Sequence, residues 1–164
     1  MTYLLDANVF IAAKNLHYGL DFCPAFWDWI VEQHRRGLVF SVEKVEDEIL
    51  GVGDELSAWA STLPEGFFLR PGASTFPALG VTAQWAQGRG YDPAAVNTFL
   101  QVADYYLVAQ ALAGSHAVVT HERPAASKKR IMIPDACIGL GIRHMTPFEM
   151  LRRERARFVL ERAH

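Results

Sequence analysis

The sequence of 164 residues predicts an α/β fold, a three-layer sandwich whose central parallel sheet carries helices on both faces. Two observations support this. Short apolar runs of strand length, residues 2–5, "LVFSV" (Leu38–Val42) and "AVVT" (Ala117–Thr120), alternate with longer stretches whose apolar residues recur every three or four positions. Strands separated by helices pair in parallel, and a parallel sheet has to be covered on both sides.

Each element has its own local reason. Residues 2–5 are a buried strand, and Val9–Lys14 open a helix. A second helix spans about Pro24 to Arg36, with Phe26, Trp27, Ile30 and Val31 as its stripe and Gly37 as its stop. After the strand Leu38–Val42, "EKVEDEIL" is helical and turns Val45, Ile49 and Leu50 inward. Gly51 and Gly53 stop it, and Asp54 is placed to N-cap "DELSAWASTL". "PEGFFLRPGAS" supplies a turn, a short extended piece and a loop. After Pro77, "LGVTAQWAQ" is helical, "GRGYDP" turns, and one long helical tract runs from Ala94 to Ala113. Beyond the strand Ala117–Thr120 come a polar loop, a short strand "RIMI", a short helix near Asp135 to Leu140 and an amphipathic helix from about Pro147. No repeat, linker or low-complexity segment interrupts the chain, so a single domain over residues 1–164 is expected.

Composition narrows the class of protein. Apolar residues make up 51% and charged residues 21%, the balance of an ordinary globular chain. The longest apolar stretch, Tyr105–Thr120, is broken by Gln110, Gly114, Ser115 and His116, short of the roughly 18 residues a membrane span needs. With no export-type leader in view, the expected compartment is the cytoplasm. Cys23 and Cys137 stand far apart, which points to two buried thiols rather than a disulfide or zinc motif. A net charge of −2 does not advertise a nucleic-acid binder, but positive charge gathers in "SKKR" (Ser127–Arg130) and "LRRERARFVLER" (Leu151–Arg162). Lys128, Lys129, Arg130, Arg152 and Arg153 are therefore candidates for phosphate contacts. Met150, Leu151, Phe158 and Val159 are alternative contacts for a protein partner.

The acids are placed more tellingly than the bases. In a parallel sheet, sites form beyond the carboxyl ends of the strands. Asp6 follows the first strand, where it could also serve as an N-cap or Asx-turn, a role Asn8 fills equally well. Glu43, Glu46, Asp47 and Glu48 follow the second strand, and Glu48 directly precedes Ile49 and Leu50. Asp104 precedes Leu107, Val108 and Ala111 by three, four and seven positions, so in a continuous helix it belongs to the buried stripe. The alternative is a helix break at Ala103 with Asp104 as N-cap. Glu122 lies just past "VVT", and Asp135 sits at a helix start, where the macrodipole already explains it. Carboxylates gathered at one sheet edge raise one another's pKa unless a divalent cation neutralises them. Oxygen-only ligands suit Mg²⁺ or Mn²⁺, which can activate water and stabilise charge on a phosphodiester. A metal-dependent nuclease is the chemistry this pattern serves.

The same residues resemble the PIN-domain ribonucleases, and among them the small bacterial PIN-like toxins of toxin–antitoxin pairs. "YLLDANVFI" looks like the family's opening strand, with Asp6 as its first acid and Asn8 as the small polar residue that supports it. "SVEKVEDEILG" is similar to the strand end and helix that carry the second acid, which falls on Glu48. "ADYYLVAQAL" resembles the helix with the third acid, Asp104. "AVVTHE" resembles a strand ending in Thr-x-Asp, with Thr120 matching and Glu122 in place of the usual Asp. That substitution shifts the carboxylate by about one methylene, so its role could be shared with or passed to Asp135. The resemblance implies Mg²⁺ or Mn²⁺ held by Asp6, Glu48, Asp104 and Glu122, RNA as substrate, frequent dimerisation and a small antitoxin partner. The stretch between Gly51 and Asp92 is longer than in the smallest toxins, which suggests a distinct subfamily.

Three rival readings differ in specific residues. A haloacid-dehalogenase-type phosphotransferase needs a general acid where Asn8 stands. A zinc hydrolase built on His116, His121 and Glu122 lacks a well-spaced third ligand. A PIN-like module without catalysis, binding RNA or a protein, has little use for clustered acids.

Overall fold

The computed structural model describes residues 1–161. In chain order the elements are β1 (Tyr3–Leu5), α1 (Ala7–Ala12) running into a π-helical turn (Ala13–His17), α2 (Pro24–Arg35), β2 (Val39–Val42), α3 (Glu43–Leu50) and α4 (Glu55–Ala60). Then follow β3 (Phe68–Leu69), α5 (Thr75–Gln87), α6 (Pro93–Gln101), α7 (Ala103–Gly114), β4 (Ala117–Val119), α8 (Ile133–Leu140), β5 (His144–Met145) and α9 (Pro147–Arg153). The strands pair in the order β3-β2-β1-β4-β5, and every pairing is parallel. The α/β fold expected from alternating strands and helices is therefore the one observed.

Tyr3, Leu4 and Leu5 point alternately to opposite faces of the sheet, and all three are fully buried. Both faces of β1 are thus covered, which is why the strand is an unbroken apolar run instead of an alternating one. Phe26, Trp27 and Ile30 of α2 are buried as a stripe, each contributing about 1.5–3 kcal/mol of transfer free energy. No helix among the described residues is long and apolar enough to cross a membrane. Both cysteines are free, Cys137 buried and Cys23 half-buried.

The strand order decides where a site can form. From β1 the chain adds β2 and β3 on one side, then returns to add β4 and β5 on the other. The order reverses between β1 and β4, and the crevice beyond their carboxyl ends is the switch point where α/β sheets bind ligands. The register pairs Leu5 with Val119, so Asp6 and Thr120 leave the sheet side by side. On the other flank, the buried Ser41 hydroxyl donates to the Leu5 carbonyl at 2.6 Å and ties β2 to the end of β1. Ser41→Ala is expected to cost about 1–2 kcal/mol, read as a lower urea midpoint with an unchanged slope.

Several local expectations are corrected. The tract 94–113 is two helices, because Val102 is extended (φ −111°, ψ 168°). The break places Asp104 in the first turn of α7 and not at its N-cap, which Val102 occupies. Leu50 is 42% exposed and faces out, since the apolar stripe of α3 needs only Val45 and Ile49. "RIMI" forms no strand: Ile133 begins α8, with a proline in its first turn, and the fifth strand is the two-residue edge His144–Met145. The last helix stops at Arg153, followed by a left-handed Arg155 (φ 55°), so most of "LRRERARFVLER" is not helical. Arg162, the last residue of that run, lies outside the described residues. Met150 and Leu151 are buried in this chain's own core, and Phe158 packs on Tyr18 and Phe26. Three of the four suggested partner contacts are therefore already used, and Val159 alone of the four is exposed.

Candidate metal centre at the sheet switch point

Asp6 occupies the N-cap position of α1 but does not cap it with its side chain. Its backbone N–H donates to the Val119 carbonyl at 2.9 Å, and its Oδ2 accepts the Thr120 hydroxyl at 2.8 Å. Thr120 Oγ1 in turn accepts from Asn8 Nδ2 at 3.4 Å and from the Glu122 N–H at 3.1 Å. Asn8 lies inside α1 and uses its Oδ1 to accept the His121 N–H at 3.2 Å. The N-cap role suggested for Asn8 is therefore absent. It clamps the β4 exit loop to α1 and acts on Asp6 through Thr120.

Burial sets the electrostatics. Asp6 is 4% exposed, and its carboxyl is pushed up to about 8, first by burial and then by the charge of Asp104. Glu122 adds to that shift, while the Thr120 hydrogen bond opposes it. Asp104, half-buried at the start of α7, is raised to about 6 by burial and then by Glu122, with a smaller push from Glu48. Arg130 opposes this shift. Three acids from separate parts of the chain, Asp6, Asp104 and Glu122, thus feel one another at the switch point. Glu48 is exposed on α3 and borders the group from the Asp104 side.

Glu122 has only 12% of its side chain exposed, and both of its oxygens are engaged. Oε1 accepts the Ile133 N–H at the start of α8 at 3.0 Å, and Oε2 lies 3.7 Å from the Arg130 guanidinium. Among the described residues, no three His, Cys, Asp or Glu side chains converge as a ready metal cage. The donor chemistry nevertheless fits a small divalent cation: all four candidates are carboxylates, and two are held unpaired by cations at a raised pKa. The Asp135 Oδ2 accepts the Ala125 N–H at 3.0 Å and pins the loop after β4.

A groove of about 800 Å³ opens beside Asp104 and Glu48, lined also by Lys44, Tyr106, Lys129 and Arg130. Two of the five suggested basic residues therefore lie at the site. Lys128 does not: its ammonium donates to the Arg89 carbonyl at 3.0 Å and covers the Tyr91 ring. Arg153 lies near the Tyr3–Glu154 pair, and Arg152 borders a small hollow with Phe148. Lys44, which stacks its ammonium over Tyr106 at 5.1 Å, was not singled out by sequence. Only its position two residues past the Ser41-containing strand end could have marked it. His116 and His121 lie at opposite ends of β4, His116 bonded to Thr2 Oγ1 at 2.6 Å, so they cannot share a zinc ion.

No curated protein matches the sequence. A solved structure described as "Structure of FitAB bound to IR36 DNA fragment" is similar over 99% of this chain and 100% of that one, with a TM-score of 0.54 and 18% identity. Likeness at that identity concerns the fold, and it agrees with the PIN-like arrangement of a parallel sheet with helices on both faces. The family model for a domain of unknown function, DUF4411, matches residues 3–158, and the chain belongs to that family.

Proposed function

We propose that this chain is a metal-dependent endoribonuclease, acting in the cytoplasm as the toxin of a bacterial toxin–antitoxin pair. The observation that carries the reading is the buried Asp6 facing Asp104 and Glu122 at the sheet switch point, a costly arrangement unless a cation is bound there. Asp6, Glu48, Asp104 and Glu122 are the residues that would hold Mg²⁺ or Mn²⁺. Such an ion, when bound, would lower the pKa of a water and offset charge on the phosphodiester. The protein's own contributions are distinct from that. Thr120 and Asn8 keep the Asp6 carboxylate oriented, and the Ile133 N–H holds Glu122 at the rim. Lys129 and Arg130 place positive charge where an RNA backbone would approach the acids. The toxin role, a small antitoxin partner and a homodimer come from the resemblance to small bacterial PIN-like proteins.

A second reading, a PIN-like module that binds RNA or protein without cutting, is favoured by one observation: both Glu122 oxygens are already engaged. The experiment that separates the two is hydrolysis of a labelled oligoribonucleotide by the purified chain in Mn²⁺, Mg²⁺ and EDTA. Cleavage with either metal and none in EDTA is expected. No cleavage under any condition selects the binding module, and cleavage in EDTA removes the metal. Growth arrest on expressing the chain alone, relieved by a small neighbouring gene, is the expected sign of a toxin.

A further inference from the structure

We propose that His17, His121 and Phe148 form a stacking shelf for one base of a single-stranded substrate, next to the acids. This rests on the nuclease reading and extends it to how the strand is held.

The backbone shows how the shelf is assembled. After α1 the chain widens into the π-helical turn Ala13–His17, closed by the Tyr18 N–H to the Ala13 carbonyl at 2.7 Å. Such turns are rare and are frequent at functional sites. This one ends at His17 and carries its ring to the exit of β4. Ring centroids lie 5.5 Å apart for His17 and His121, 5.1 Å for His17 and Phe148, and 5.6 Å for His121 and Phe148. All three pairs are therefore within contact range for aromatic rings. His17 is exposed while His121 and Phe148 are half-buried, which leaves the cluster an open side.

Position ties the shelf to the site. His121 lies between Thr120, which holds Asp6, and Glu122, and its N–H is clamped by Asn8. Phe148 borders a hollow of about 190 Å³ together with Arg152, a cation suited to the phosphate next to a stacked base. The cationic groove beside Asp104 shares no residue with this cluster. A strand laid across the acids meets cations in one place and rings in another. Single-stranded nucleic acid is held by that combination, because every base has a face that stacks on Phe or His whatever its sequence.

The test compares a short fluorescent oligoribonucleotide with an abasic ribose-phosphate chain of the same length, binding to the full chain in EDTA. About tenfold tighter binding of the base-bearing strand is expected for the wild type. His17→Ala and Phe148→Leu should reduce that preference to about twofold or less with the abasic affinity unchanged. Phe148→Tyr, which keeps the ring, should preserve it. Equal affinities in the wild type, no binding of either strand, or variants that lose both strands alike overturn the shelf. His17 is exposed, so its variant reports even if Phe148→Leu unfolds. Reading the affinity in EDTA separates the two ideas: base preference without hydrolysis in Mn²⁺ overturns the nuclease reading alone, and hydrolysis without base preference overturns the shelf alone.

Discussion

Asp104→Asn and Asp6→Asn are each expected to lower ribonuclease turnover by about a thousandfold or more while the protein remains folded. Asparagine has nearly the shape of aspartate, so the Thr120 hydroxyl keeps an acceptor at position 6 and α7 keeps its first turn. What disappears is one negative charge among carboxylates that would share a cation. A readout other than activity distinguishes that cause from a general disturbance of the site. Mn²⁺ at about a hundredfold its dissociation constant stabilises a one-site protein by about 2.7 kcal/mol, or roughly 5–10 °C in Tm for a chain of this size. The wild type should show that shift, and both variants should lose it. Equal Mn²⁺ shifts in wild type and variants, or undiminished cleavage by Asp104→Asn, would remove Asp6 and Asp104 from the metal site.

The second large effect is on stability, and it has the opposite sign for the same residue. With no divalent cation, the thermal stability of the wild type should fall as pH rises from about 4 to about 8. Asp6 titrates near 8 in the fold and near 3.8 as a free carboxyl, and Asp104 near 6. Between those values these two carboxyls bind more protons in the folded chain than in the unfolded one, so their titration favours unfolding as pH rises and outweighs the smaller opposite contribution of His116 and His121, whose pKa values burial lowers. Below about pH 4 both states are protonated and the difference disappears. At pH 7 the Asp6 shift alone corresponds to a few kcal/mol, about 2 to 4, that Asp6→Asn should recover. The variant should then melt higher than the wild type in EDTA at neutral pH and show a flatter Tm against pH. A wild-type Tm that stays level between pH 5 and 8 in EDTA would contradict the buried, unpaired state of Asp6.

These two results pull in opposite directions, and that opposition is informative. A core carboxylate that weakens the metal-free fold would be replaced at little structural cost by its amide. Holding the proposed cation would give it a use that offsets the penalty. The Thr120–Asn8 network lessens the penalty without removing it, since the Thr120 hydroxyl lowers the Asp6 pKa only against larger opposing effects.

Some of this was readable in the residues alone. The continuous apolar run Tyr3–Leu5, the stripe of α2 and the alternation of strand and helix determined a parallel, doubly covered sheet, because burial on both faces leaves no polar alternation. Asp6, Glu122 and Thr120 were legible as strand-end residues, since strands of three residues leave little choice about where they stop. Tertiary structure decided what local pattern leaves degenerate. The break at Val102 has no glycine or proline to announce it, and it sets Asp104 in the first turn of α7. The two-residue edge strand His144–Met145 is too short to carry a period, while "RIMI" looked more strand-like and has no partner to pair with. What the acids beyond β4 bind is also set by the fold, since the loop turns back to give Asp135 the Ala125 N–H and Glu122 the Ile133 N–H. The meeting of the His17 and His121 rings likewise joins residues more than 100 positions apart, which no window of sequence contains. Apolar periodicity is a local property, so it determines elements and their buried faces. The meeting of charges and rings is set by chain crossings, and only the folded sheet order brings them together.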